Sequence, residues 1–138
     1  MKRARRALAM AAVTAAVALA PVANAAPAQA ADCPTINAMP PSVSGTVVTA
    51  RAYWECYGLP SEIAHITVSL QQDTFWNWRT VSTTEHRRQG PSVTGQFNAP
   101  AHDCRGGGSQ TYRTWTIATM GGDFSLAYVS DPVTVNCG

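Results

Sequence analysis

Four cysteines, Cys33, Cys56, Cys104 and Cys137, constrain this chain more than any other feature, because residues 1–30 ahead of them read as an export leader. Lys2, Arg3, Arg5 and Arg6 precede a fourteen-residue stretch, Ala7 to Ala20, in which Thr14 is the one polar residue. Small-residue cleavage sites follow at Ala23-Asn24-Ala25 and Ala28-Gln29-Ala30. Fourteen helical residues span about 21 Å, short of a hydrocarbon core of about 30 Å, so the stretch reads as a signal peptide and not an anchor. Arg5-Arg6 fits a twin-arginine signal as well as the general export route. The expectation is a signal peptide over residues 1–30, a secreted extracellular domain over 31–138, and no membrane attachment after cleavage.

An even number of cysteines in an oxidising compartment predicts two disulfides. No CxxC or HxxxH spacing suggests zinc, and no metal or other cofactor is expected. Four cysteines allow three pairings. If Cys33 opens the first strand and Cys56 closes the second, antiparallel pairing puts them side by side. The same holds for Cys104 before one strand and Cys137 at the end of the next. Strand order therefore favours Cys33–Cys56 and Cys104–Cys137.

Charge narrows the partners. Four of the ten basic residues lie in the leader, leaving six Arg against eight Asp and Glu, so the chain's +2 becomes −2 beyond it. No lysine remains there. That balance excludes a basic nucleic-acid binder and a polybasic membrane-surface protein.

The mature region alternates and shows no sustained helical period. Val48, Ala50, Ala52, Trp54 and Cys56 share one face of a strand over Thr46 to Tyr57. Ile66, Val68 and Leu70 share a face of the next. Asp73-Thr74 turns into a strand from Phe75 to Thr83, and Val93 to Phe97 is a short strand ended by Pro100. Gln110 to Met120 is rich in β-branched residues, Gly121-Gly122-Asp123 makes a tight turn, and Phe124 to Cys137 returns with a break at Pro132. About seven strands at this spacing predict a single all-β antiparallel sandwich.

Trp54 on a central strand and Tyr112 near the start of the penultimate one give the chain a resemblance to immunoglobulin-like and fibronectin-III-like domains. It also resembles short exported sandwich proteins of actinobacteria that have no assigned activity. The resemblance implies an immunoglobulin-like β-sandwich with a tyrosine corner at Tyr112. Antibody-type domains carry a cysteine two residues after that tyrosine; here the position is Thr114, so their inter-sheet disulfide is absent.

Candidates for catalysis are sparse, and no enzymatic activity is expected. His65 falls on an outward phase, and His86 lies in a charged hairpin end, Glu85-His86-Arg87-Arg88. His102 and Asp103, as neighbours on an extended segment, point to opposite faces. There is no GxSxG elbow. Gly106-Gly107-Gly108-Ser109 lacks the lysine and following helix of a phosphate loop and reads as a flexible loop.

The aromatic residues carry more information. Phe75-Trp76-Asn77-Trp78 puts Trp76 and Trp78 on one face of a strand, and Tyr112 inside implies Trp115 and Ile117 outside, or the reverse; the competing reading has Trp76, Trp78 and Trp115 fill the core. The leading expectation is a non-catalytic binding module whose surface comprises Trp76, Trp78 and Trp115 with Arg79 and Arg113 as polar neighbours, for an extracellular glycan or protein. A second reading is a secreted protease inhibitor. It would present a disulfide-held loop, Cys104-Arg105-Gly106, although three glycines argue for a floppy segment.

Overall fold

The computed structural model describes residues 32–58, 63–120 and 124–138. The predicted leader and the Gly121–Asp123 turn lie outside them. Every described element is a strand, and the strands form two antiparallel sheets. One sheet contains β1 (Asp32–Ser44), β2 (Val47–Tyr57) and β5 (Val93–Asn98) in that order. The two-residue β6 (His102–Asp103) extends the β5 side of β2 by pairing with Val47 and Val48.

The other sheet runs β4 (Trp78–Gln89), β3 (Ile63–Asp73), β7 (Ser109–Met120) and β8 (Phe124–Val129). The strand β9 (Val133–Asn136) continues along the β8 side of β7. β8 and β9 are thus one return strand interrupted around Pro132, where proline cannot donate to the ladder.

Period-two alternation builds the core. Val48, Ala50, Ala52, Trp54 and Cys56 are fully buried from one sheet, opposite Ile66, Val68, Leu70 and Tyr112 from the other. The serines and threonines that enter the interior each have a hydrogen-bond partner, whereas Arg51 Nε is buried without one among the described residues. Thr114 and Thr116 are completely buried on β7. The Arg51 backbone N–H donates across the sandwich to Thr114 Oγ1 at 3.3 Å, and the Thr114 N–H donates to Ser130 Oγ at 2.9 Å. Thr114 therefore contributes a hydrogen bond between the two sheets.

Both predicted disulfides are present, with Cα–Cα distances of 4.0 Å for Cys33–Cys56 and 5.3 Å for Cys104–Cys137. Each fastens one end of the sandwich: the first where β1 starts and β2 ends, the second where the β6–β7 loop meets the end of β9.

The structure corrects two boundaries. β4 begins at Trp78, not Phe75, and continues to Gln89. Glu85-His86-Arg87-Arg88 is consequently strand and not a hairpin end. Pairing with Ala64 to Thr67 of β3 gives this charged segment a continuous ladder, and tertiary pairing overrides its low strand propensity.

Candidate functional site

The β3–β4 turn presents the most exposed aromatic residues. Asp73 Oδ1 accepts the Phe75 N–H at 2.8 Å, and the Thr74 N–H donates to Asn77 O at 2.9 Å. Thr74 Oγ1 lies 2.6 Å from Asn77 Oδ1, closing a four-residue loop. Phe75 adopts a positive φ of 74°, a left-handed conformation uncommon for a bulky residue. Its ring is 86% exposed and Trp76 is 88% exposed. The two rings meet edge to face at 5.2 Å between centroids.

Trp76 and Trp78 therefore do not share a strand face. Side-chain bonding by Asp73 and Thr74 holds residues 74–77 in the turn, so Trp76 stands at the tip and the alternation begins only at Trp78.

Trp78 lies on the outer face of the five-stranded sheet. The pairs Trp78–Asp73, Thr80–Gln71, Gln71–Arg113 and Ser69–Trp115 carry that face across β4, β3 and β7. The Arg113 guanidinium stacks over the Trp78 ring at 4.2 Å, and its Nε–H donates to Gln71 Oε1 at 2.8 Å. Burial lowers the Arg113 pKa from its usual value, an effect the Asp73 carboxylate opposes.

Trp115 is half-buried on the same face, with Ile117 two residues further along β7. Ser69 is buried although it lies on this outer phase, flanked by Trp115 and by Thr83, whose Oγ1 is 2.8 Å from Ser69 Oγ. Val129, paired with Trp115 across β8, adds an apolar side chain that is 53% exposed.

Of the predicted set, the structure brings Trp78, Arg113 and Trp115 together, with Trp76 at the adjoining tip. Arg79 is the exception. As the neighbour of Trp78 it points to the opposite face, where its Nη2 donates to Gln72 Oε1 at 2.9 Å. Arg79 there lines a cleft of about 280 Å³ together with Gln72, His102, Arg105, Gln110 and Tyr112. The sequence alone could not find this cleft, since it needs the β3–β7 register and the Cys104–Cys137 bond to bring its walls together.

The β6–β7 loop is less free than its glycines suggest. Gly106 N–H donates to Cys137 O at 2.7 Å, Gly108 N–H to Gly138 O at 3.0 Å, and Cys137 N–H to Gly108 O at 2.7 Å. Gly107 N–H donates to Cys104 O at 3.0 Å, placing Arg105 and Gly106 at the centre of a turn with Gly106 at φ 82°. Backbone hydrogen bonds hold the loop in place, and Arg105 is folded into a turn. It is not on the extended segment that pairs with a protease cleft.

The histidines occupy separate places. His65 Nδ1 is 2.9 Å from Glu85 Oε1 in an exposed cross-strand pair. His86 faces the gap beside β5: its Nε2–H donates to the Asn98 carbonyl at 3.2 Å, and its ring lies 5.1 Å from that of Phe97. His102 packs against Tyr112 at 5.8 Å, whereas Asp103 accepts from Thr46 Oγ1 at 2.7 Å. Tyr112 is buried at the start of β7. Among the described residues its hydroxyl makes no hydrogen bond back to the chain, so the corner interaction implied by the resemblance is not formed.

The chain matches no family model, no curated protein and no solved structure.

Proposed function

We propose that this chain is a secreted, non-catalytic binding module of immunoglobulin-like architecture that holds an extracellular glycan on the outer face of its five-stranded sheet. The observation that carries the reading is the Arg113 guanidinium stacked on Trp78 in a continuous surface with Gln71 and Trp115. Half-buried aromatic rings fixed by their neighbours lose little freedom on binding, which suits stacking against flat sugar rings. Amide and guanidinium groups between them offer hydrogen bonds to hydroxyls. The exposed Phe75 and Trp76 extend this surface past the sheet end.

The strand order supports the architectural part. First, second and fifth strands face fourth, third, seventh and eighth, the arrangement of A-B-E against C′-C-F-G in sandwiches of that type. Two disulfides in a small β domain fit an oxidising compartment.

Depletion of the purified domain from solution by insoluble cellulose, chitin and peptidoglycan tests the reading. Retention by at least one polymer, reduced at least tenfold in Trp115→Ala and Trp76→Ala with unchanged circular dichroism, is the expected result. Retention that ignores both substitutions overturns it, as does failure of every polymer to retain the wild-type domain.

A further inference from the structure

We propose that the cleft between the β6–β7 loop and the ends of β3 and β4 is a second binding site, taking a carboxylate on a small polar molecule of about one sugar ring. Its volume of about 280 Å³ is near the lower end of the roughly 300–1,000 Å³ usual for small-molecule sites. The Cys104–Cys137 bond and the backbone bonds of the loop hold one wall in place.

Charge selects an anion. Arg79 and Arg105 line the cleft against a single carboxylate, Asp103. That carboxylate is already committed: it accepts from Thr46 Oγ1 and from the Arg105 N–H, and lies 3.7 Å from the Arg105 guanidinium. Arg79 has no carboxylate within ion-pair distance among the described residues.

Hydrogen bonding selects an acceptor. Arg79 Nη2 donates to Gln72 Oε1, Gln72 Nε2 donates to Gln110 Oε1 at 2.5 Å, and Gln110 Nε2 donates to the Gly107 carbonyl. This relay fixes both glutamine amides with their oxygens occupied. One guanidinium N–H of Arg79 is used and four remain, in a fork that matches a carboxylate. Tyr112 adds a hydroxyl without a hydrogen-bond partner among the described residues. Burial raises the Tyr112 pKa, keeping the hydroxyl protonated and able to donate at neutral pH. An acceptor-only planar anion is the group that satisfies all of these donors.

Calorimetric titration with glucuronate, glucuronamide and inorganic sulfate tests the proposal. Saturable binding of glucuronate is expected, at least tenfold tighter than glucuronamide or sulfate, and at least tenfold weaker in Arg79→Gln with unchanged circular dichroism. Tyr112→Phe, which removes only the hydroxyl, is expected to weaken glucuronate at least threefold. Equal affinity for glucuronate and glucuronamide overturns the charge argument, and equal affinity for sulfate reduces the site to an adventitious ion only. No glucuronate binding, or full binding by Arg79→Gln, also overturns the proposal.

Discussion

The indole N–H of Trp54, on β2, donates to Thr116 Oγ1, on β7, at 3.0 Å through the centre of the sandwich. Both residues are completely shielded from solvent. The Thr116 hydroxyl in turn donates to the Thr67 carbonyl at 2.9 Å, so neither polar atom is left unpaired. With the Arg51–Thr114 bond, this pair ties the two sheets in place of a central disulfide.

Thr116→Val keeps the shape of the core and removes the acceptor, stranding a buried indole N–H. An unsatisfied buried donor costs about 1–3 kcal/mol. Urea unfolding followed by tryptophan fluorescence is expected to show a loss in that range, with Thr116→Ser losing less. A loss under about 0.5 kcal/mol would mean that the donor finds another partner.

The disulfides act at opposite ends of the molecule, closing sequence separations of 23 and 33 residues. Chain entropy assigns roughly 3–4 kcal/mol to each, a large part of a total near 5–15 kcal/mol. Replacing either pair by alanine is expected to lower the unfolding free energy by about that amount. Removing Cys104–Cys137 has a second effect, because Gly106 N–H and Cys137 N–H hold the cleft loop only while the end of β9 stays beside it. Faster amide hydrogen exchange at Gly106 and Gly108 in that variant, and not in the Cys33–Cys56 variant, checks the assignment.

Much of this architecture is legible in the residues. Trp54 continues the Val48–Ala52 alternation and is core, and Tyr112 and Trp115 divide inside from outside as their odd spacing requires. Both disulfides follow from which strands adjoin. What escapes the sequence is set by tertiary pairing. Trp76 reads as strand because aromatic residues favour strands, but the Asp73 and Thr74 side chains bond into a turn around it. Arg79 reads as a neighbour of Trp78, whereas the alternation sends it to the cleft. The cleft itself joins Gln72 and Arg79 to residues 102–112, three stretches separated in the sequence, and no local pattern marks it.

Asp103 gives the loop a pH dependence of definite sign. The Thr46 hydroxyl and then the Arg105 N–H hold its carboxyl below the ordinary 3.8, against a smaller opposing effect of desolvation. A depressed carboxyl stabilises the fold above its unfolded value, and that contribution disappears as pH falls through the lower folded value. Between pH 5 and 2 the wild-type domain is therefore expected to lose stability more steeply than Asp103→Asn. Carboxyl carbon shifts of Asp103, followed by NMR, should titrate below 3.8 in the wild type and move upward in Thr46→Val. An unchanged titration in Thr46→Val removes the hydroxyl as the cause.

Phe75 combines an unfavourable backbone with an unburied ring. Its φ of 74° is a conformation that costs a non-glycine residue on the order of 1 kcal/mol or more, and at 86% exposure its ring recovers little by burial. Asparagine tolerates the left-handed region without the added unfolded-state entropy of glycine. Phe75→Asn is therefore expected to stabilise the domain by about 1 kcal/mol in urea unfolding. The same substitution should weaken retention on whichever polysaccharide the wild type binds, because it removes the edge-to-face contact at 5.2 Å that orients Trp76. Gain in stability together with loss of retention would identify the tip as strain kept for binding. Lower stability in Phe75→Asn would instead show that the contact with Trp76 outweighs the strain, making the aromatic pair a structural feature of the turn.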